Sequence, residues 1–173
     1  KTTKSSSPVD ALHPHLDNSH QSNSAYLYAI RLLTRREYST PKLRRKFLDR
    51  DISPEVIEEV IERLLSADYL SNERYQEARI RGLIRKNCSP QLIQYRLQQE
   101  ELTVPIDVIN QQFNELKITQ QDQIHILIKK KVNHMSETLD GQQKREKLIR
   151  FLSGKGHNPA VTTPILRDYL LPN

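Results

Sequence analysis

Residues 53–64, Ser53-Pro54-Glu55-Val56-Ile57-Glu58-Glu59-Val60-Ile61-Glu62-Arg63-Leu64, decide the fold class. Ser53 offers an oxygen to an orphan amide, and Pro54 takes the first helical position, where its missing N–H costs nothing. Val56, Ile57, Val60, Ile61 and Leu64 then recur at three- and four-residue spacing, the period of a helix with one apolar face. The acids of the stretch suit the positive end of the helix dipole. The same grammar spreads outward. Thr40-Pro41, Ser89-Pro90 and Asn158-Pro159 also set a capping side chain before a proline, and Val104-Pro105 supplies the proline without the cap. Thr119 with Asp122, and Ser71 before Asn72-Glu73, mark two more starts. Tyr26, Ala29, Ile30 and Leu33 upstream, and Ile124, Leu127, Ile128, Val132 and Met135 downstream, keep the helical period. No segment sustains a period of two, so the chain is predicted to be all-α.

The marks repeat. Val56, Ile57, Ile61 and Leu64 match Val108, Ile109, Phe113 and Leu116 at an offset of 52, and Thr40-Pro41, Leu43 and Leu48 match Ser89-Pro90, Leu92 and Leu97 at 49. Phe47-Leu48 matches Phe151-Leu152 at 104, and Pro54, Val56 and Ile61 match Pro159, Val161 and Leu166 at 105. The expectation is three tandem three-helix repeats of about 50 residues, at 24–70, 71–118 and 119–173. Each is too small to bury its apolar faces alone, so the repeats should stack into an elongated, curved array. Residues 1–23, polar and rich in Ser, Asn and Gln, read as a disordered tail in which His13, His15 and His20 are solvated.

The rest of the composition excludes several classes. The chain has 173 residues, 36% of them hydrophobic, with four glycines and a single cysteine. Its mean hydropathy is −0.70. One cysteine rules out an internal disulfide framework, and no apolar run approaches the roughly 20 residues that span a bilayer. No secretory apolar region follows Lys1, so a cytoplasmic monomer is expected. There is no Gly-rich phosphate loop, no CxxC pair, no HExxH and no arguable Ser/His/Asp grouping. No enzyme, cofactor or metal site is therefore expected, and Cys88 reads as an inert loop thiol despite Arg85 and Lys86 nearby.

Charge is where a function shows. The formal net charge is +6, from 27 Lys and Arg against 21 Asp and Glu, and it is unevenly spread. Arg31, Arg35, Arg36, Lys42, Arg44, Arg45, Lys46 and Arg50 crowd one stretch with only Glu37 and Asp49 among them. On a helix expected at 73–86, Arg74, Arg81 and Arg85 fall within roughly 40° of one another along about 16 Å, while Ile80, Leu83 and Ile84 take another face. No acid on that helix pairs the stripe, and Lys86 extends it. Such arginines suit phosphates or a partner's carboxylates. The competing reading is a solvated face bridged to a neighbouring acidic helix. Lys129, Lys130 and Lys131, and then Lys144, Arg145, Lys147 and Arg150, extend the basic surface into the third repeat.

Leu32-Leu33-Thr34-Arg35-Arg36-Glu37-Tyr38-Ser39 followed by Lys42-Leu43-Arg44-Arg45-Lys46-Phe47-Leu48 resembles the opening repeat of the RecX regulatory proteins. Val56-Ile57, Leu64, Asp68-Tyr69-Leu70-Ser71-Asn72-Glu73-Arg74-Tyr75 and Ala78 resemble that family's link into its second repeat. The resemblance is dense from Ser24 to Leu102, thinner through Leu170 and absent from the tail. It departs at Tyr38, where the family often has His, at Ser71-Asn72, where it has an Asp pair, and near Asp51 and Cys88, where it has Gly. The resemblance implies three three-helix repeats and a regulator of DNA recombination, repair and the SOS response. Such a protein binds the RecA recombinase filament on single- or double-stranded DNA and inhibits ATP hydrolysis, filament extension and strand exchange, without catalysis of its own. The residues expected at that interface are Arg35, Arg36, Arg44, Arg45, Arg74, Arg81, Arg85 and Lys86, with Lys129, Lys130, Lys144, Arg145, Lys147 and Arg150 as further basic surface. The resemblance supports Arg35, Arg36 and Arg74; charge and face support the rest. Two alternatives stand beside it: a sequence-independent nucleic-acid-binding module, and a helical adaptor for an acidic protein.

Overall fold

The computed structural model describes residues 14–170, with side chains from Ser19 onward. Among the described residues nine helices follow one another: α1 (Pro14–Leu33), α2 (Thr40–Leu48), α3 (Pro54–Ser66), α4 (Asn72–Ile84), α5 (Pro90–Gln99), α6 (Ile106–Glu115), α7 (Gln120–Val132), α8 (Gly141–Gly154) and α9 (Pro159–Leu170). Among the described residues there is no strand, and no helix is long and apolar enough to cross a membrane. The chain is all-α, in three successive sets of three helices.

Most helix starts follow the sequence. Ser53 and Ser89 accept from Val56 N–H and Leu92 N–H, Thr119 and Asp122 form a reciprocal capping box, and Ser71 accepts from Arg74 N–H. Asn158 Oδ1 accepts from Ala160 N–H. Three starts differ. The cap of α2 is Ser39, not Thr40, whose hydroxyl is buried without a partner among the described residues; Pro41 falls one position later than expected. Pro105 is itself the N-cap of α6 rather than its first helical residue. Asp140, which no proline follows, caps α8.

The shift at α2 resets the repeat register. With Ser39 as cap, the fully buried pair Leu43 and Phe47 matches Ile93 and Leu97 at 50, and Leu148 and Leu152 at 105, rather than at 49 and 104. Leu48, aligned with Leu97 by the shorter offset, is 51% exposed. In the third helices the register holds: Ile57, Ile109 and Thr162 are buried, as are Ile61, Phe113 and Leu166. Val56 is buried at 1%, but its counterparts Val108 and Val161 are 43% and 39% exposed.

Six helix ends share one device that the sequence conceals. Asp51, Asp68, Asn87, Glu101, Lys117 and Gly156 all have φ between 53° and 82°. After each, the next amide reaches back five residues: Ile52 to Phe47, Tyr69 to Leu64, Cys88 to Leu83, Leu102 to Leu97, Ile118 to Phe113 and His157 to Leu152. This is the left-handed cap that satisfies a helix's last carbonyls, ordinarily a glycine's place. Five of the six positions here hold other residues.

The chain divides into two compact units, the first running through Tyr75 and the second from Gln76. In the first, α1 and α2 pack on α3 around Ala25, Ala29, Leu43, Phe47, Ile57, Val60 and Leu64. In the second, α5 packs on α6, α7 on α8 and α8 on α9, with Ile124, Leu127, Ile128, Leu148, Leu152 and Leu166 at one core. Helix α1 starts ten residues upstream of Ser24, and Ser22 is buried with its hydroxyl donating to Glu59 at 2.8 Å. The expected tail boundary therefore moves toward the N-terminus; residues 1–13, with His13, lie outside the described residues.

Candidate functional site

The basic stretch of the first unit separates into paired and unpaired cations. Arg44 on α2 faces Glu58 on α3 in a two-pronged pair, with Nε and Nη2 each 2.9 Å from a carboxylate oxygen. That guanidinium holds the Glu58 carboxyl below its usual range. Arg74, at the start of α4, donates from Nη1 to Asp68 at 2.7 Å, from Nη2 to the Asp68 carbonyl at 2.8 Å and from Nε to Glu37 at 3.2 Å. Asp68, and Glu37 after it, raise the Arg74 pKa. Arg36 donates to the Tyr38 hydroxyl at 2.8 Å and lies 4.8 Å from that ring's centroid. Arg50 and Arg63 stack over Tyr28 and Tyr26, each at 3.9 Å, and Lys42 bonds the Tyr75 hydroxyl. Arg45 is exposed. Arg35 is exposed too, and its guanidinium forms no ion pair among the described residues.

In the second unit the pattern repeats. Arg79 pairs with Glu100 at 2.6 Å. Arg81 donates to Gln112 at 2.8 Å and stands 3.7 Å from Glu115. The stripe on α4 is therefore not an unpaired row: Arg74 and Arg81 find acids on other segments, as the bridged-face alternative describes, and Arg85 does not. Ile80, Leu83 and Ile84 are buried as their spacing requires. Arg85 and Lys86 are exposed where α4 ends, and neither is in an ion pair among the described residues. Lys129 and Lys130 are exposed at the end of α7, while Lys131 lies 5.3 Å from the Phe151 ring centroid. On α8, Arg145, Lys147 and Arg150 are exposed and Lys144 is half-buried.

Cys88 is fully buried, with Arg96 Nη1 3.6 Å from its sulfur, so the thiol belongs to the core. Around it lies a set of contacts that spacing does not disclose. Gln123 donates to the Ile84 carbonyl at 3.1 Å, Lys155 Nζ to the Lys86 carbonyl at 3.2 Å, and the His157 ring to the Asn87 carbonyl at 3.1 Å. The Ser89 amide donates to the Lys155 carbonyl at 2.9 Å. The final carbonyl of α4 and two carbonyls of the turn after it are thus met by side chains from α7 and from the turn after α8. Burial, and secondarily Lys155, push the His157 pKa down. The only local signal for this joint is Gly154-Lys155-Gly156, a lysine between two of four glycines.

Residues 25–64 match the family model for the first three-helix domain of RecX. The Regulatory protein RecX of Trichlorobacter lovleyi is 38% identical over 102 residues, 58% of this chain and 64% of that protein, slightly under two thirds of its length. The Regulatory protein RecX of Pseudomonas savastanoi pv. phaseolicola is 32% identical over 129 residues, 75% of this chain and 81% of its own. The crystal structure of RecX from Lactobacillus salivarius superposes with a TM-score of 0.61 over 87% of this chain and 97% of that one. At 17% identity, that likeness speaks for the fold alone.

Proposed function

The chain belongs to the RecX family of regulatory proteins, and from that premise we propose that it binds the RecA–DNA filament in the cytoplasm and lowers its ATP hydrolysis, extension and strand exchange. The observation that supports this is the set of cations left over once intramolecular pairing is counted. Arg35 in the first unit, and Arg85, Lys86, Lys129, Lys130, Arg145, Lys147 and Arg150 in the second, are exposed without a carboxylate partner among the described residues. Point charges held on α7 and α8 and on the turns after α1 and α4 suit a polyanionic partner touched at several places, so that affinity comes from many weak contacts rather than one pocket. Arg44, Arg74 and Arg81 reach the filament only by exchanging the acids they already hold. Arg36 and Arg45 complete the proposed surface in the first unit.

The test is RecA's ATPase on single-stranded DNA. Added at or below the RecA concentration, the folded protein depresses steady-state hydrolysis. Hydrolysis that stays unchanged rejects the proposal, and tight binding to naked DNA with no effect on the filament favours a stand-alone nucleic-acid module instead.

A further inference from the structure

We infer that Lys155 joins Arg85 and Lys86 in a cluster that contacts nucleic-acid phosphates. The inference deepens the filament reading and rests on it only for the presence of a nucleic acid.

The fold constructs the cluster from residues far apart in sequence. The turn after α8 lies on the turn after α4, tied by Ser89 N–H to the Lys155 carbonyl and by the His157 ring to the Asn87 carbonyl. This approach depends on Gly156: its φ is +82°, and a Cβ there would sit 2.5 Å from Leu92 Cβ and 2.5 Å from Ser89 Oγ. Backbone in contact with its neighbour fixes where Lys155 starts, and its ammonium ends 3.2 Å from the Lys86 carbonyl.

A structural role accounts for part of this. A cation complements the negative end of a helix dipole, which amounts to about half a charge. Three full charges exceed that, and the Lys86 carbonyl takes one of the ammonium's three donors, leaving two. Elsewhere on the same helix every arginine has an acid: Arg74 has Asp68 and Glu37, Arg79 has Glu100, and Arg81 has Glu115. Arg85, Lys86 and Lys155 have none among the described residues. An anion that arrives there meets three cations on two adjoining turns.

The surroundings select phosphate over an acidic protein surface. Protein interfaces are built on apolar and aromatic anchors and are depleted in lysine. Here Leu83, Ile84, Cys88 and Pro90 are all buried, and what the turn presents outward is cationic. Charges without an apolar anchor match the sequence-blind contacts that proteins make to a nucleic-acid backbone.

The experiment measures binding of a labelled single-stranded oligonucleotide by fluorescence anisotropy across a salt series. Lys155→Gln keeps a donor for the Lys86 carbonyl and removes the charge. It should weaken binding and lower the slope of log affinity against log salt by about 0.7, the value for one phosphate on a single strand. Lys155→Arg should restore the slope and keep the wild-type melting temperature. Lys155→Gln should melt a few degrees lower at most, from the lost complement to the helix dipole, and remain folded at the temperature of the binding assay. A wild-type slope in Lys155→Gln overturns the inference, as does a slope that Lys155→Arg fails to restore. Absence of DNA binding by the wild type also overturns it; reduced inhibition of RecA by Lys155→Gln would then set the cluster against acidic protein and leave the filament reading standing. A lowered, rescued slope in a protein that leaves RecA unaffected supports the cluster and rejects the filament reading.

Discussion

His157 occupies a place that its counterparts fill differently. At five other helix ends the residue after the left-handed cap is Ile52, Tyr69, Cys88, Leu102 or Ile118. Here an imidazole is buried at 1% exposure. Because its partner is a carbonyl, Nε2 carries the proton, and the buried Nδ1 has no partner among the described residues. A second proton would put charge where burial opposes it and Lys155 repels it, so the folded pKa lies below the ordinary 6.5. The unfolded chain therefore takes up its proton first as pH falls. Stability should decline as pH drops below about 6.5 and level off below the folded pKa. Glu58, Glu73 and Asp122, all held below their ordinary values, act only at more acidic pH. Urea midpoints at pH 7.5 and 5.5 provide the check: the wild type loses stability between them, and His157→Gln, which keeps a donor for Asn87 without titrating, flattens the loss. An equal loss in the variant would show that other groups carry it.

At the scale of elements, helix starts are legible in the sequence and helix ends are not. A start is announced by Ser, Thr or Asn with Pro, because the cap oxygen and the fixed φ act locally. Thr40 and Ser39 show the limit of that signal. Both are capping types, and only burial decides between them: with Ser39 as cap, Leu43 and Phe47 face inward. Asp140 carries neither signal that marks the other starts, a proline after it or an acid in the first turn. Ends are hidden because the left-handed position, which glycine would advertise, holds Asp51, Asp68, Asn87, Glu101 or Lys117. Each non-glycine residue there is strained, so the pattern predicts two substitutions of opposite sign. Lys117→Gly should raise stability by roughly 0.5–1 kcal/mol, part of the relief being offset by the entropy of the unfolded chain. Gly156→Ala should cost about 1–3 kcal/mol from the backbone alone, and more from the 2.5 Å approaches to Leu92 and Ser89. Thermal melts of the two variants against the wild type distinguish them directly. A destabilised Lys117→Gly would mean that the cap is not held as described.

For the molecule as a whole, the net charge of +6 is less informative than which cations remain unpaired. The sequence shows basic stretches but not their partners. Glu37 is 37 residues from Arg74, Glu58 is 14 from Arg44, and Gln112 is 31 from Arg81. No spacing rule on one helix reaches across such intervals, so the paired and unpaired members of the same stripe look alike until the helices are packed. Packing leaves Arg35 in the first unit and Lys86 in the second, with no shared side-chain partner. If each unit makes its own contacts with the filament, their contributions add in free energy and multiply in affinity. Arg35→Glu and Lys86→Glu should each raise the concentration that half-inhibits RecA's ATPase by about tenfold, or ~1.4 kcal/mol, near the value of one hydrogen bond to a charged group. The double variant should then raise it about a hundredfold, because neither change disturbs the other's contact. A double variant no worse than either single one would mean that both substitutions break the same contact. Arg44→Gln serves as the counterpart: its guanidinium is already held by Glu58, so half-inhibition should shift by less than in either single variant.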